Sequence, residues 1–181
     1  MKDELFQEDD DLFGMYSHLS LKALIKYRKS SSLWEPHVDQ ELVNRTNYAV
    51  KQFTVTPLHF LAYHGHLEIY QSIIEKLDDK NPRMIGGKTP LHFAAKYGHV
   101  SMCRLISSYL SDKNPKDDEG LTPLHLASKY GALDVMAFLM EVIDDQDPID
   151  NKGRQPVEYA FEAIACKIDP DLVLNSLDVV L

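Results

Sequence analysis

Eight histidines, two cysteines and a run of close-set aspartates are the residues of this 181-residue chain that could do chemistry. Imidazole and thiolate bind zinc, and imidazole is the side-chain base that titrates nearest neutrality. His59, His92 and His125 stand 33 residues apart, one in each copy of a repeated string. A residue that returns once per unit has a duty within the unit, so these three read as structural. His64, His66 and His99 fall at helix ends, without His-Glu-x-x-His spacing and without a cysteine or carboxylate cluster of the zinc type. Cys103 and Cys166 lie far apart in apolar helical patterns and read as free buried thiols suited to a reducing compartment. Asp144, Asp145, Asp147 and Asp150 crowd together as in a calcium loop. The alternating ligands, central glycine and terminal glutamate of such a loop are missing and Pro148 interrupts, so the run reads as a solvated acidic turn. Gly86-Gly87-Lys88-Thr89 has the end of a phosphate-binding loop but lacks its upstream glycine. No Cys-His or Ser-His-Asp set can be placed. The chain is therefore expected to be no enzyme and to hold no metal or cofactor, and its function is sought on the surface.

The elements that position these residues repeat. Thr56-Pro57-Leu58-His59 opens a string that returns at Thr89-Pro90-Leu91-His92 and at Thr122-Pro123-Leu124-His125, each 33 residues on. Self-similarity at a constant period marks stacked-repeat architecture. Thr56, Thr89 and Thr122 stand as N-caps, the proline that follows sits at the first helical position, and Gly65, Gly98 and Gly131 stop the helix. Two turns of helix are too short to persist alone, so neighbours must hold them. A second helix follows each glycine, with apolar residues three and four apart: Leu67 to Leu77, Val100 to Leu110, and Leu133 to Ile143. Pro82, Pro115 and Pro148 end these helices, and Gly87, Gly120 and Gly153 mark tight turns before the next string.

With those strings in place, the chain resembles the ankyrin-repeat proteins. The resemblance covers Tyr48 to Cys166 and rests on the Thr-Pro-Leu-His strings, the 33-residue period and the paired helices. It implies an all-α solenoid of stacked helix-turn-helix units with turned-back loops and helical caps at both ends. It also implies that each histidine bonds to the threonine of its own string and ties adjacent loops. Two places depart from the pattern. Gln155-Pro156-Val157-Glu158 replaces the fourth Thr-Pro-Leu-His with no glycine to follow, as expected of a capping repeat. In the first unit Thr54 replaces the turn glycine, and Leu61 replaces the small residue found at Ala94 and Ala127.

The flanks complete the layout. Residues 1–16 read as an acidic disordered tail, 17–50 as a helical N-terminal cap or divergent repeat, 51–83, 84–116 and 117–149 as three repeats, and 150–181 as a degenerate capping repeat. Ser17 to Lys29 is a basic amphipathic pattern, which suits a cap over the first repeat or a helix that binds a membrane surface or partner. Leu33 and Trp34 pin the next turn, and Glu41 to Asn44 form a second short helix. Pro170 to Leu181 reads as a last apolar helix, with Leu172, Val173, Leu177 and Val180 closing the stack; a fragment of a longer array is the other reading. No run is long and apolar enough to span a bilayer, and no secretory leader is evident. A cytoplasmic monomer is expected, with a nuclear location as the alternative.

In a stacked array, equivalent positions line up into stripes. His64, Tyr97 and Tyr130 form one and Tyr63, Lys96 and Lys129 another, just before the glycines, where no packing duty is expected. The resemblance places this end of the helix, with the loop tips, in a concave groove. Those tips carry Gln52, Phe53 and Val55; Ile85 and Lys88; Asp118, Glu119 and Leu121; and Asn151, Lys152 and Arg154. Tyrosine with lysine is the composition of a protein-binding hot spot, against a reading in which the tyrosines only fill space between units. The expected partner-binding residues are Tyr63, His64, Lys88, Lys96, Tyr97, Leu121, Lys129 and Tyr130. From Lys51 to Lys116 nine basic residues face five acidic ones, a net of +4, whereas from Asp117 onward four face fourteen, a net of −10. Such a dipolar chain orients a charged protein partner and lacks the broad basic footprint of nucleic-acid binding. The expected function is protein binding through the groove. A regulatory or targeting module of a longer enzyme or ligase, and a bare spacer, are the alternatives.

Overall fold

The computed structural model describes residues 21–30, 35–51 and 55–165. The acidic tail, Leu33 and Trp34, Gln52, Phe53, Thr54, Cys166 and the expected helix at Pro170 to Leu181 lie outside the described residues.

Nine helices appear among the described residues, and no strand. They are α1 (Leu21–Ser30), α2 (Glu35–Lys51), α3 (Pro57–His64), α4 (Leu67–Ile74), α5 (Pro90–Lys96), α6 (Val100–Ser108), α7 (Pro123–Tyr130), α8 (Leu133–Val142) and α9 (Pro156–Ala165). The three strings become α3, α5 and α7, each opened by an extended threonine and a proline at its first turn. The chain then reverses at Gly65, Gly98 and Gly131 into α4, α6 and α8.

Packing follows two layers. First helices stack on first helices, α3 on α5 on α7 on α9, and second helices on second helices, α2 on α4 on α6 on α8. Contacts within the first-helix layer are the more extensive, so the stack is drawn closer on that side. Leu58, Leu91 and Leu124 enter the core between layers together with Ile73, Ile106 and Leu139. Removing each such side chain from water contributes about 1.5–3 kcal/mol, which short helices of seven to ten residues need to form at all.

The N-terminal segment joins this scheme. Leu24 and Ile25 of α1 are buried in the main core with Val38, Leu42 and Val43 of α2, while Lys26 and Lys29 face solvent. α1 packs on α2, and α2 on α3 and α4, the contact pattern of a repeat pair. Helix α2 runs for 17 residues, much longer than the expected Glu41 to Asn44. Its buried face of Val38, Leu42, Val43 and Thr46 recurs at helical spacing, and the Thr46 hydroxyl donates back to the Leu42 carbonyl at 2.8 Å. Lys76 reaches the buried Asp39 carboxylate at 4.0 Å, linking α2 to the end of α4.

The loops between units are turned back and joined to one another. Asp117 N–H donates to Leu121 O at 2.8 Å within one loop, and Asp150 N–H to Arg154 O at 3.0 Å within the next. Asn151 N–H crosses to Glu119 O at 3.0 Å, and Asp118 N–H to Gly86 O at 3.1 Å. Gly87 and Gly120 permit this approach. Both have positive φ, and a Cβ on Gly120 would come within 2.6 Å of the Asn151 backbone nitrogen. Arg83 and Lys116 add a further strand of bonds, donating to Lys116 O at 2.6 Å and Ile149 O at 2.9 Å.

Candidate functional site

Two stripes run along the first-helix layer. The inner one is the histidine row. Thr89 N–H donates to His92 Nδ1 at 3.1 Å, and the Thr89 hydroxyl lies 3.0 Å from the same nitrogen. His92 Nε2 lies 3.1 Å from Leu121 O. A carbonyl only accepts, so Nε2 carries the proton and Nδ1 is the acceptor. His59 repeats this with Thr56 and Lys88 O, and His125 with Thr122 and Arg154 O, each carbonyl bond at 3.1 Å. Each imidazole therefore completes its own helix cap and ties that helix to the loop 29 residues on. At Thr122 the hydroxyl oxygen also accepts the His125 backbone N–H, at a long 3.5 Å, so the cap is made chiefly from the histidine side chain. Burial disfavours the imidazolium and pushes His59 down to about 4 and His92 to about 3, in spite of their carbonyl partners. Burial lowers His125 as well. A fully buried neutral imidazole with both nitrogens bonded is a structural part.

The outer stripe is different in kind. The rings of Tyr63 and Tyr97 meet edge to face with centroids 4.3 Å apart. Lys96 Nζ sits 5.1 Å from the Tyr97 centroid and 4.8 Å from that of Tyr130. Lys129 Nζ sits 5.9 Å from Tyr130 and 5.9 Å from Tyr159. His64 extends the row at the other end, 4.5 Å from Tyr63 and 4.3 Å from Phe60. From Tyr97 on, rings and ammonium groups alternate across α5, α7 and α9, after the ring-on-ring contact between α3 and α5. Each cation held over a ring face contributes about 0.5–1 kcal/mol at an exposed site.

The structure brings six of the eight expected binding residues into this column: Tyr63, His64, Lys96, Tyr97, Lys129 and Tyr130. Lys88 stands apart, half-buried on the loop before α5. Leu121 is a correction. It is 7% exposed and packs with Leu126 and Tyr159, so its side chain is not presented to a partner. Tyr63 and Tyr97 are a partial correction, since both are half-buried against the core and do pack. Tyr130 is 46% exposed and Lys129 is exposed.

Asp150 also differs from expectation. Asp144, Asp145 and Asp147 are solvated, but Asp150 is buried. Its Oδ1 accepts the backbone N–H groups of Lys152 and Arg154, each at 2.8 Å. Its Oδ2 accepts the Tyr159 hydroxyl at 2.6 Å and Arg154 Nε at 3.2 Å. Burial works to raise this carboxyl, but those donors outweigh it and hold the group well below the usual carboxylate range. Arg154 also lies over the Tyr159 ring, 4.2 Å from its centroid. Tyr159 stands in the fourth, degenerate string, so the sequence pattern hid the residue that ends the column; the five-residue spacing of Arg154 and Tyr159 was the available signal.

Among the described residues no cluster of histidine, cysteine or carboxylate side chains could hold a metal ion, and no helix is long and apolar enough to cross a membrane. Cys103 is a free, buried thiol that burial pushes up to about 12, too high for a reactive thiolate. No curated protein matches the chain. A family model of three ankyrin repeats matches residues 21–117, and a single ankyrin-repeat model matches residues 119–148. The first match takes in α1 and α2, which the Thr-Pro-Leu-His strings do not reach. Stacked helix pairs, joined loops and both matches agree: the chain belongs to the ankyrin-repeat family.

Proposed function

We propose that this chain binds a partner protein through the tyrosine–lysine column, and that the partner offers carboxylates to Lys96 and Lys129. Ankyrin repeats are in general protein-interaction modules and typically non-catalytic. The observation that carries the reading is the alternation of ring and ammonium at one pitch across successive units. Packing alone does not call for a lysine beside the exposed Tyr130, or for a second lysine over the same ring from the preceding repeat. The column is built on helices whose caps are bonded to the neighbouring loops, so little ordering is lost when a partner docks. Tyrosine is among the side chains that dominate protein interfaces.

Charge reversal tests the proposal. Partners captured from source-cell lysate by the wild type are compared with those of Lys96→Glu/Lys129→Glu, with melting followed in parallel. The expected result is loss of a captured protein from the variant, with binding to the wild type weakening as salt rises. Retention of every captured partner by a variant that melts like the wild type would rule out the column as the site.

A further inference from the structure

One line of the outer stripe changes chemistry from unit to unit. Tyr63, Lys96, Lys129 and Glu162 stand 33 residues apart, on α3, α5, α7 and α9. Those helices stack in that order, so the four side chains follow one another along the layer. Tyr63 meets the ring of Tyr97. Lys96 Nζ reaches the rings of both Tyr97 and Tyr130, and Lys129 Nζ those of Tyr130 and Tyr159. Glu162 ends the line as an exposed carboxylate, 3.5 Å from Arg154. A ligand laid along the line therefore meets an aromatic ring, two cations and an anion, each one unit apart. For packed helices that step is about 8–10 Å.

The step selects a backbone. On a β-strand one face recurs every two residues, so its side chains fall about 6.6 Å or about 13 Å apart and miss the step. On an α-helix neighbours on one face stand about 5–6 Å apart, and the face returns only after seven residues, at about 10.5 Å. A polyproline II helix returns to the same face every third residue, at about 3.1 Å per residue, which gives about 9.3 Å. It has no internal hydrogen bonds to satisfy, and aromatic-lined grooves such as the Tyr63, Tyr97 and Tyr130 row suit it. We propose that the ligand of this column is a polyproline-II peptide with an apolar residue, two acidic residues and a basic residue at successive third positions. The apolar residue meets Tyr63, the two carboxylates meet Lys96 and Lys129, and the cation meets Glu162. Glu162 fixes the register, because a shift of one unit toward α9 brings a carboxylate against it. The proposal rests on the partner-binding reading above and adds the conformation and spacing of the ligand.

Fluorescence anisotropy of labelled synthetic peptides with the full chain tests it. The matched peptide carries leucine, glutamate, glutamate and lysine, with two prolines between each and the next, and is made in both chain directions. One control spaces the same four residues by a single proline, and another by six alanines, which suits a helix. The better matched peptide is expected to bind at least about fivefold tighter than either control, the scale of one partly exposed ion pair. Lys129→Gln is expected to weaken the matched peptide about fivefold. Glu162→Gln is expected to remove its preference for lysine over glutamate at the last place. Tightest binding by the alanine-spaced peptide would overturn the proposal in favour of a helical ligand. Equal binding of every spacing, or of none, with a lysate partner still lost from Lys96→Glu/Lys129→Glu, would overturn the spacing and leave the column as the binding site. Binding of the matched peptide that survives Lys96→Glu/Lys129→Glu would overturn both.

Discussion

The histidine row and the tyrosine–lysine row lie on the same helices with the same period, yet they do different work. In the histidine row every copy is identical, Thr-Pro-Leu-His three times over, and every polar atom of the imidazole is bonded inside the protein. In the outer row the copies drift, with His64, Tyr97 and Tyr130 at one position and Tyr63, Lys96 and Lys129 at the other. Recurrence alone does not separate structure from function, because both rows recur. What separates them is the strictness of the recurrence and the burial behind it. A buried imidazole between a cap and a carbonyl is constrained at both nitrogens, whereas a ring or ammonium at the helix end is constrained chiefly by its neighbours in the row.

Acid should break the inner row most severely. His59 and His92 titrate at about 4 and about 3 in the folded chain, below the ordinary value of 6.5. Between these values the unfolded chain binds the extra protons, so stability is complete above about pH 6.5 and is lost as pH falls. Each of the two contributes up to about 1.4 kcal/mol per pH unit across that window. Denaturant unfolding at pH 6.5 and 4.5 should show the loss, and His92→Gln should reduce the slope. A flat profile would mean that the imidazoles are not held neutral.

Next in size is Leu91→Ala. Leu91 is fully buried between the layers, and the change should cost about 2–5 kcal/mol in denaturant unfolding. Gly120→Ala should follow at about 1–3 kcal/mol, since it combines positive φ with backbone only 2.6 Å from the new Cβ. Thr89→Ala should cost about 1 kcal/mol, because the His92 side chain keeps its bond to the Thr89 backbone N–H. If Thr89→Ala proved as costly as Leu91→Ala, the threonine hydroxyl would be the main cap and the account of the histidine row would need revision.

These ranks show what was legible in the sequence. The helix starts at Thr56, Thr89 and Thr122 were plain, because capping and proline placement are local effects written in adjacent residues. The full length of α2 was hidden, because its apolar face carries Asp39 and Thr46 among the hydrophobic residues and lacks the Thr-Pro start. Leu121 was read as a loop tip together with Asp118 and Glu119, from its place between the turn and the next string. Its carbonyl is held by His92, and the side chain turns to pack with Leu126 and Tyr159. Asp150 was grouped with the solvated aspartates near it, and the return of Tyr159 from the next helix, with Arg154 and two backbone N–H groups, takes it out of water. For Leu121 the deciding contacts come from neighbouring units, through His92 and Tyr159, where spacing within one string carries no information.

The sharpest contrast between the rows is a paired measurement on Tyr130→Ala/Lys129→Ala. Both side chains are exposed, so denaturant stability should fall by no more than about 1 kcal/mol. Capture of the protein partner should be lost. That result would place stability in the inner row and binding in the outer one. A variant that loses stability as Leu91→Ala does, or keeps its stability and its partner alike, would contradict the division.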